Sequence, residues 1–280
     1  MIPVGRLKQN LQFNKNFGDL VEVMKLTATL QFNQFRLKKE PSEDFIHLLE
    51  DVFGVLLSLE EKNDLLFPKN ELPSLLILIS SEEGFLGELN FLLTSKLLGA
   101  KRQFDEIACV GAQGANYLRD IRLDFSFFDS PGEKFEPEKL AKLSAFVASK
   151  YLKRQVGSVF VIYPRFMSIT LQQAEMEELL PLSKDFSAEN KPIQQLLVEP
   201  DLESVIEGWV RSWLSFKFFQ IFWSSRLAEL AARIMHLEGS VQEMMKLNNH
   251  LRMEYFKYLH GLSDRSIREL TAARLLEKER

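Results

Sequence analysis

The sequence is poor in the residues on which most catalytic and metal sites are built. Its 280 residues include a single cysteine, Cys109, and four histidines, His47, His236, His250 and His260. One cysteine cannot form an intrachain disulfide, and such a composition is typical of a reducing compartment. The histidines show no H-E-x-x-H or related ligand spacing, and no G-x-S-x-G occurs. We therefore expect no catalytic residue, no metal site and no cofactor site.

A phosphate-binding loop is also missing. The stretch ISSEEGFLGELN (79–90) follows an apolar run and contains Gly84 and Gly87, but no G-x-x-x-x-G-K-[ST] pattern is present. Three carboxylates in this loop, Glu82, Glu83 and Glu88, would repel a phosphate. A second short glycine loop, GAQGAN (111–116), is equally weak as a signal. Both stretches predict tight turns between a strand and a helix.

Charge and hydropathy argue against nucleic-acid binding and against a membrane-spanning helix. The net charge is −4, and although residues 1–40 are basic, they lack clustered arginines and interleaved aromatics, so we expect no nucleic-acid binding. The most aromatic run, residues 212–225, contains Lys217 and is too short to cross a bilayer, which takes about 20 apolar residues.

The C-terminal third has the pattern of a long coiled-coil helix. No proline follows Pro200, and Asp201 is placed as the N-cap of a helix. From Trp209 to Leu262 apolar residues recur in alternating steps of three and four, with Gln220 and Asn248 as the polar members of the series. A helix of about 75 residues would be about 110 Å long, so it must project from any domain of this size and needs a partner helix.

The N-terminal segment supplies the partner. Apolar residues there follow helical steps, namely Leu7, Leu11, Phe17, Val21, Met24, Ala28, Phe32 and Phe35. Pro41 is expected to interrupt this helix, and residues 46–59 resume it. Helices at opposite ends of a chain most simply pair antiparallel, although the sequence leaves a parallel pairing open.

Between the two helices the sequence alternates strand-like and helix-like segments. Residues 74–80, 106–112 and 158–166 predict strands, 88–99 and 137–154 predict helices, and 168–182 contains a further strand. The predicted fold is α+β, with a long antiparallel two-helix coiled coil and a central small α/β, Rossmann-like domain. The predicted domains are an N-terminal shaft helix (1–60), a central foot (61–200) and a C-terminal shaft helix (201–280) that pairs with 1–60.

Several stretches along the chain resemble the gamma subunit of F-type ATP synthases. Residues 6–28 resemble its first helix, with Leu7, Leu11, Leu20, Met24, Leu26 and Ala28 matching in kind. The loop 79–90 resembles S-D-x-G-L-C-G-x-x-N through Ser81, Gly84, Gly87 and Asn90, and ACVGAQG (108–114) resembles its G-x-K-G loop. LLPL (179–182) and VEPD (198–201) resemble the segment before its last helix. ELAAR (229–233) resembles E-x-x-A-R-M-x-A-M through Glu229, Ala232, Arg233 and Leu237.

The same stretches depart from the family pattern in ways that suggest a divergent member. Leu86 stands where cysteine is common, and Phe17, Asp19 and Val21 replace the polar run of the first helix. The last turns read LHGLSDRSI (259–267) in place of R-Q-x-x-I-T-x-E-[IL], which the family uses to contact the catalytic ring. This combination fits an alternative F-type ATPase.

The resemblance implies a non-catalytic rotor that couples ion translocation to ATP synthesis or hydrolysis. The implied partners are the alpha and beta subunits of the catalytic ring, an epsilon-type central-stalk subunit and the membrane c-ring. The implied location is peripheral, on the cytoplasmic face of a bacterial inner membrane. The expected contact residues are Met24, Lys25, Arg233, His236, Gly84, Gly87 and Asn90. The alternative hypothesis is a non-rotary coiled-coil scaffold or adaptor derived from this family.

An aromatic cluster at the start of the C-terminal helix exceeds what one partner helix can cover. We expect Trp209, Trp213, Phe216 and Trp223 to pack on residues 41–60, and Phe218, Phe219 and Phe222 to pack on the central domain.

Overall fold

The computed structural model describes residues 4–37, 43–59, 65–66, 72–132, 136–182 and 199–278. The expected break at Pro41 lies outside these ranges. Within them the helices are α1 (Val4–Arg36), α2 (Glu43–Leu59), α3 (Leu89–Leu98), α4 (Ala112–Asp120), α5 (Pro137–Leu152) and α6 (Leu202–Lys278). The strands are β1 (Ser74–Ile79), β2 (Glu106–Val110), β3 (Ser126–Phe128), β4 (Ser158–Ser168) and β5 (Leu171–Leu180).

The chain forms two compact units. Residues 31–233 form the sheet unit, and residues 1–30 with 234–280 form the helical unit. The predicted boundaries near residues 60 and 200 stay a prediction, because these units describe how residues pack rather than where the chain divides into domains.

The sheet unit is built around one mixed sheet in the order β3-β2-β1-β4-β5. Strands β1 to β4 are parallel, and β5 is antiparallel to β4. The central strand β1 has the sequence SLLILI and is buried along its whole length, as expected of a parallel strand covered on both faces. Its alternating side chains divide between two cores, since Leu75 and Ile77 enter one and Leu76 and Leu78 enter the other.

Different helices cover the two faces of this sheet. Helices α3 and α4 contribute Leu93, Leu97 and Leu118 to the smaller core. The larger core combines the opposite face with α2, α5 and the first turns of α6. The predicted central α/β layer is therefore confirmed, although β3 is a strand that the sequence reasoning did not identify.

Helix α6 begins where the sequence indicated. Asp201 accepts hydrogen bonds from the backbone N–H of Ser204 at 2.8 Å and from its hydroxyl at 2.9 Å, and these bonds lower the pKa of Asp201. A side-chain oxygen that accepts from the first turn is the usual way to satisfy the unpaired N–H groups of a helix start.

The aromatic cluster packs partly as expected. The Trp209 indole N–H donates to the Leu49 carbonyl at 2.9 Å, and the Phe216 ring lies 4.4 Å from that of Phe45, so both residues contact α2. Trp223 has its ring centroid 4.3 Å from that of Phe35 in α1, a contact that the sequence did not predict, and its packing on residues 41–60 stays a prediction.

The four remaining aromatic residues of the cluster lie in the larger core or at its edge. The Trp213 indole N–H donates to the carbonyl of Leu179 in β5 at 3.0 Å. Phe218 and Phe222 are buried in the larger core, whereas Phe219 is half-buried at its edge. This stretch of α6 therefore packs against α1, α2 and the sheet.

In the helical unit, α1 and α6 run antiparallel, as predicted. Val21 packs against Leu237 and Val241, and Lys25, one turn further along α1, forms an ion pair of 2.9 Å with Glu238. On α6 the seam residues from Leu237 to Tyr258 are buried or half-buried, whereas most of the positions between them are exposed. The predicted coiled coil is thus confirmed in this part of the chain.

The seam on α1 departs from the prediction at one position. Phe17 is 46% exposed and stacks on the exposed Phe13 with ring centroids 6.2 Å apart. Asn14 and Gly18 are the half-buried residues at this level. Residues 11, 14, 18 and 21 lie on the face of α1 that packs on α6, because they follow one another in steps of three and four. Residue 17 lies beside that face.

Asn248 makes a polar layer in this seam. Among the described residues its buried Oδ1 atom has no hydrogen-bond partner. It follows Val241 by one heptad, just as Asn14 precedes Val21 by one heptad, so the antiparallel register places Asn14 and Asn248 at the same level. A polar residue at a core position lowers stability but specifies register.

We predict that Asn248→Leu stabilises the protein, because an apolar side chain removes the cost of the buried amide, about 1–3 kcal/mol. Chemical denaturation of the variant and the parent protein measures the change in the free energy of unfolding. Asn249→Leu, at the neighbouring exposed position, is the matched control. A loss of stability in Asn248→Leu would contradict the prediction.

We also predict that Phe218→Ala lowers the free energy of unfolding by about 3–5 kcal/mol, because Phe218 is fully buried and its removal leaves a cavity. Phe219→Ala, one residue along and only half-buried, should cost clearly less. Equal losses for the two variants, measured by the same denaturation experiment, would contradict the packing described here.

Candidate functional site

The loop that follows β1 packs tightly against the loop that follows β2. The Ser80 hydroxyl donates to the Val110 carbonyl and accepts from the Gly114 N–H, each at 2.8 Å. Gly111 has a φ of +93°, and a Cβ atom built on it would lie 2.2 Å from the Ser80 carbonyl oxygen. Only glycine fits there. The GAQG glycines therefore serve close contact between two loops.

Glu82 occupies the N-terminus of α4. Its Oε2 atom accepts from the N–H of Ala112, the first residue of that helix, at 3.2 Å, and its Oε1 atom accepts from the Ser130 N–H at 3.0 Å. A helix N-terminus attracts negative charge, and here the carboxylate of the chain itself supplies it. One side chain thus joins the loops after β1, β2 and β3.

The rest of the loop folds back on itself through Ser81 and Asn90. The Asn90 amide donates to the Ser81 hydroxyl at 3.0 Å, and that hydroxyl donates to the Glu83 carbonyl at 3.0 Å. Gly87 has a φ of +56°, which favours glycine, whereas Gly84 lies at the exposed bend. These contacts place Asn90 and Gly87 in the framework of the loop.

The loop also contacts α6, which brings two of the motifs from the sequence together. Leu86 and Leu89 pack on Ala232, and the adjacent Arg233 forms an ion pair with Glu83 with a nitrogen–oxygen distance of 2.7 Å. Arg233 is almost fully buried, whereas the Glu83 side chain is about half exposed. We call this junction, formed by residues 80–90 and 226–233, the loop–helix junction.

A buried carboxylate lies one turn earlier on α6. Glu229 is 8% exposed, and its Oε2 atom lies 3.1 Å from a guanidinium nitrogen of Arg226. Burial raises the pKa of Glu229 to about 7, against the opposing effect of the positive charges of Arg226 and Arg233, and Glu83 adds to the rise. The junction therefore contains a group that titrates near neutral pH.

Sequence reasoning did not single out Glu82, Glu83, Arg226 or Glu229 as site residues. Glu229 was noted only as part of the ELAAR motif. Glu82 and Glu83 were noted only as charges that would repel a phosphate. Their contacts join residues far apart in the chain, which no spacing within one motif reveals.

Three of the expected contact residues belong to the helical unit. Met24 packs beside Val21, Leu237 and Val241, and Lys25 is held by Glu238, whose pKa it lowers. His236 is exposed on α6. The other four expected residues, Arg233, Gly84, Gly87 and Asn90, lie in the loop–helix junction of the sheet unit. Contact of any of the seven with a partner stays a prediction.

The described part of the chain has neither a candidate metal site nor a candidate membrane span. Within the ranges given above, no group of three or more His, Cys, Asp or Glu side chains is placed to hold a metal ion. No helix in these ranges is long and apolar enough to cross a membrane.

Comparison with known proteins decides the family. The sequence model of the ATP synthase family matches residues 4–258, which is most of the chain. Curated relatives that match over 94–97% of their own length carry the name ATP synthase gamma chain. The chain belongs to the ATP synthase gamma family.

The relatives are distant but cover the chain from end to end. The gamma chain of Mycoplasmopsis pulmonis is 25% identical over 272 residues, covering 95% of this chain and 97% of the relative. That of Clostridium perfringens is 24% identical over 279 residues, covering 97% of each. The rotor of the Euglena gracilis mitochondrial ATP synthase has the same fold, with a TM-score of 0.71 at 15% identity over 92% of this chain and 98% of that one.

The gamma family membership confirms the resemblance and makes the chain a central-stalk subunit of an enzyme complex. One departure from the family pattern now has a physical account. Leu86, at the place where the family commonly has cysteine, is 3% exposed and packs with Leu89 and Ala232. Since a buried free cysteine behaves as a small hydrophobic residue, leucine preserves an apolar contact there.

We predict that Glu229→Gln changes the pH dependence of stability. Because the pKa of Glu229 in the folded protein lies above the ordinary carboxyl value, the parent protein loses stability as pH rises from about 4.5 through 7. Glutamine stays neutral, so the stability of the variant relative to the parent should increase by about 2–3 kcal/mol between pH 5 and pH 8.

Urea unfolding at several pH values measures this difference. Glu88→Gln, which removes an exposed carboxylate from the same loop, is the matched control. Parallel pH profiles for Glu229→Gln and the parent protein would contradict the prediction.

Proposed function

We propose that this gamma-family chain is a non-catalytic rotor that couples ion translocation through a membrane c-ring to ATP synthesis or hydrolysis in a ring of alpha and beta subunits. Support comes from the fold and from relatives that match over 94–97% of their length. The Euglena neighbours are described as a rotor and as an assembly with OSCP, F1 and c-ring.

The observation that carries contact with the catalytic ring is the exposed end of α6. Every side chain from Leu259 to Thr271 is exposed, although Leu262, Ile267 and Leu270 are apolar and are 44%, 61% and 66% exposed. Apolar side chains grouped on an exposed surface mark sites of protein contact. We infer that this end of α6 enters the ring and that its unusual residues contact a correspondingly divergent alpha and beta pair.

The proposed partners at the other end are an epsilon-type subunit and the c-ring. In the sheet unit, Phe85, Phe91 and Leu98 are 57%, 68% and 62% exposed, which supports an apolar contact surface near the start and end of α3. Through the c-ring the protein would be peripheral to the membrane, on the cytoplasmic face in a bacterium.

For the seven expected contact residues the geometry supports two roles. We propose that Gly84 and His236, which are exposed, contact partner subunits directly. Arg233, Gly87 and Asn90 would act by holding the loop on α6, while Met24 and Lys25 would fix the register of the two helices.

The second candidate function is a non-rotary scaffold of the same complex. It is favoured by the altered residues 259–267 at the end of α6, where the family has its ring-contact residues. Both candidates predict a complex with alpha and beta subunits, so binding alone cannot distinguish them.

A cysteine crosslink at the end of α6 distinguishes the rotor function from the scaffold function. Cys109 is the only cysteine of the chain and is buried, so Leu262→Cys introduces one accessible thiol. We predict that Leu262→Cys, oxidised to a cysteine placed on the facing beta subunit, stops ATP turnover by the purified complex and that reduction restores it.

The parent chain treated with the same oxidant is the control. Full ATP turnover in the crosslinked complex would exclude rotation and leave the scaffold function. Failure of the chain to form any complex with its alpha and beta subunits would exclude both.

A further inference from the structure

A small, partly open cavity with polar and apolar walls lies where α6 passes the carboxyl end of β1. Its volume is about 20 Å³, and its walls are the end of β1 at Ile79 and Ser80, the 130–132 loop, and α6 from Phe222 to Glu229. All of these belong to the sheet unit. The cavity adjoins the loop–helix junction, since it shares Arg226 and Glu229 with it.

Ser225 is the residue of this wall whose hydrogen bonding is incomplete. It is 2% exposed, and among the described residues its hydroxyl oxygen has no hydrogen-bond partner. A buried hydroxyl without a partner is destabilising, and a serine within a helix usually bonds the carbonyl four residues earlier. The hydroxyl of Ser225 therefore requires a partner that the described residues do not provide.

The volume of the cavity and the charges in its wall indicate which molecule is the hydrogen-bond partner of Ser225. A space of this volume holds one water molecule and is too small for a phosphate or a nucleotide. The charged groups in the wall, Arg226 and Glu229, are paired with each other at 3.1 Å, so the site does not select an ion of either sign. A water needs two to four polar partners, and Ser225, Glu229 and Arg226 are such groups.

We propose that this cavity binds one ordered water molecule that accepts a hydrogen bond from the Ser225 hydroxyl and donates one to the Glu229 carboxylate. The water is a structural ligand that ties the hydroxyl, the carboxylate and the neighbouring 130–132 loop together. The proposal does not depend on rotation or on any partner subunit.

The sign of a stability change tests the proposal. If the water is present, Ser225→Ala removes one of its partners and should lower Tm by about 2–4 °C. If the cavity is dry, the same substitution removes an unsatisfied hydroxyl and should leave Tm unchanged or raise it. Ser144→Ala is the matched control, because the Ser144 hydroxyl pairs with that of Ser215 at 2.9 Å and its loss should lower Tm in either case.

A crystal structure of the full chain that resolves ordered water gives the second readout. We expect a density peak within hydrogen-bond distance of both Ser225 Oγ and Glu229. An empty cavity in the parent protein, or a rise or no change in Tm for Ser225→Ala while Ser144→Ala shows its loss, would overturn the proposal.

Discussion

The structure depends on the way in which α6 is buried, which changes along its length. From Ile221 to Arg233 nearly every position is buried or half-buried, because the sheet, α1 and the loop after β1 surround the helix. From Leu237 onward only the seam that faces α1 is shielded, in steps of three and four. A single uninterrupted helix thus serves as a core element in the sheet unit and as half of a coiled coil in the helical unit.

The charges of α6 follow from this arrangement. A stretch of helix buried on all sides is costly for charged residues, yet Arg226, Glu229 and Arg233 lie in it. Each is paired, Arg226 with Glu229 and Arg233 with Glu83, so each buried charge has a partner of opposite sign. Glu83, in the loop after β1, is therefore the counter-charge for Arg233 of the helix.

The long-range pattern of the sequence predicted the fold well. Steps of three and four over many turns leave few alternatives to a coiled coil, and the apolar runs of β1, β2 and β4 identify a buried sheet. Strand β3 has only three residues, of which Phe128 alone is shielded, so no period could reveal it. The wrong assignment of Phe17 to the seam has a similar cause. In a short series, Phe17 and its neighbour Gly18 both continue the steps of three and four, so the spacing alone does not tell which one is buried.

The sequence predicted the individual segments of the candidate site but not the contacts between them. The loop and the ELAAR stretch each stood out, and the conformational need for Gly87 follows from its positive φ. The ion pair between Glu83 and Arg233 joins residues 150 positions apart, and the burial of Glu229 results from packing around it. Neither property is encoded in a local spacing, so both required the three-dimensional structure.

Glu82 lies at the carboxyl end of the parallel strands, against the start of α4. In parallel sheets a helix that starts at the carboxyl end of a strand commonly receives a phosphate at its N-terminus. Here the carboxylate of Glu82 already accepts from the first N–H of α4 and from Ser130. The chain itself thus fills the hydrogen-bonding position at the start of α4, and loss of this carboxylate would take the acceptor away from the Ala112 and Ser130 N–H groups.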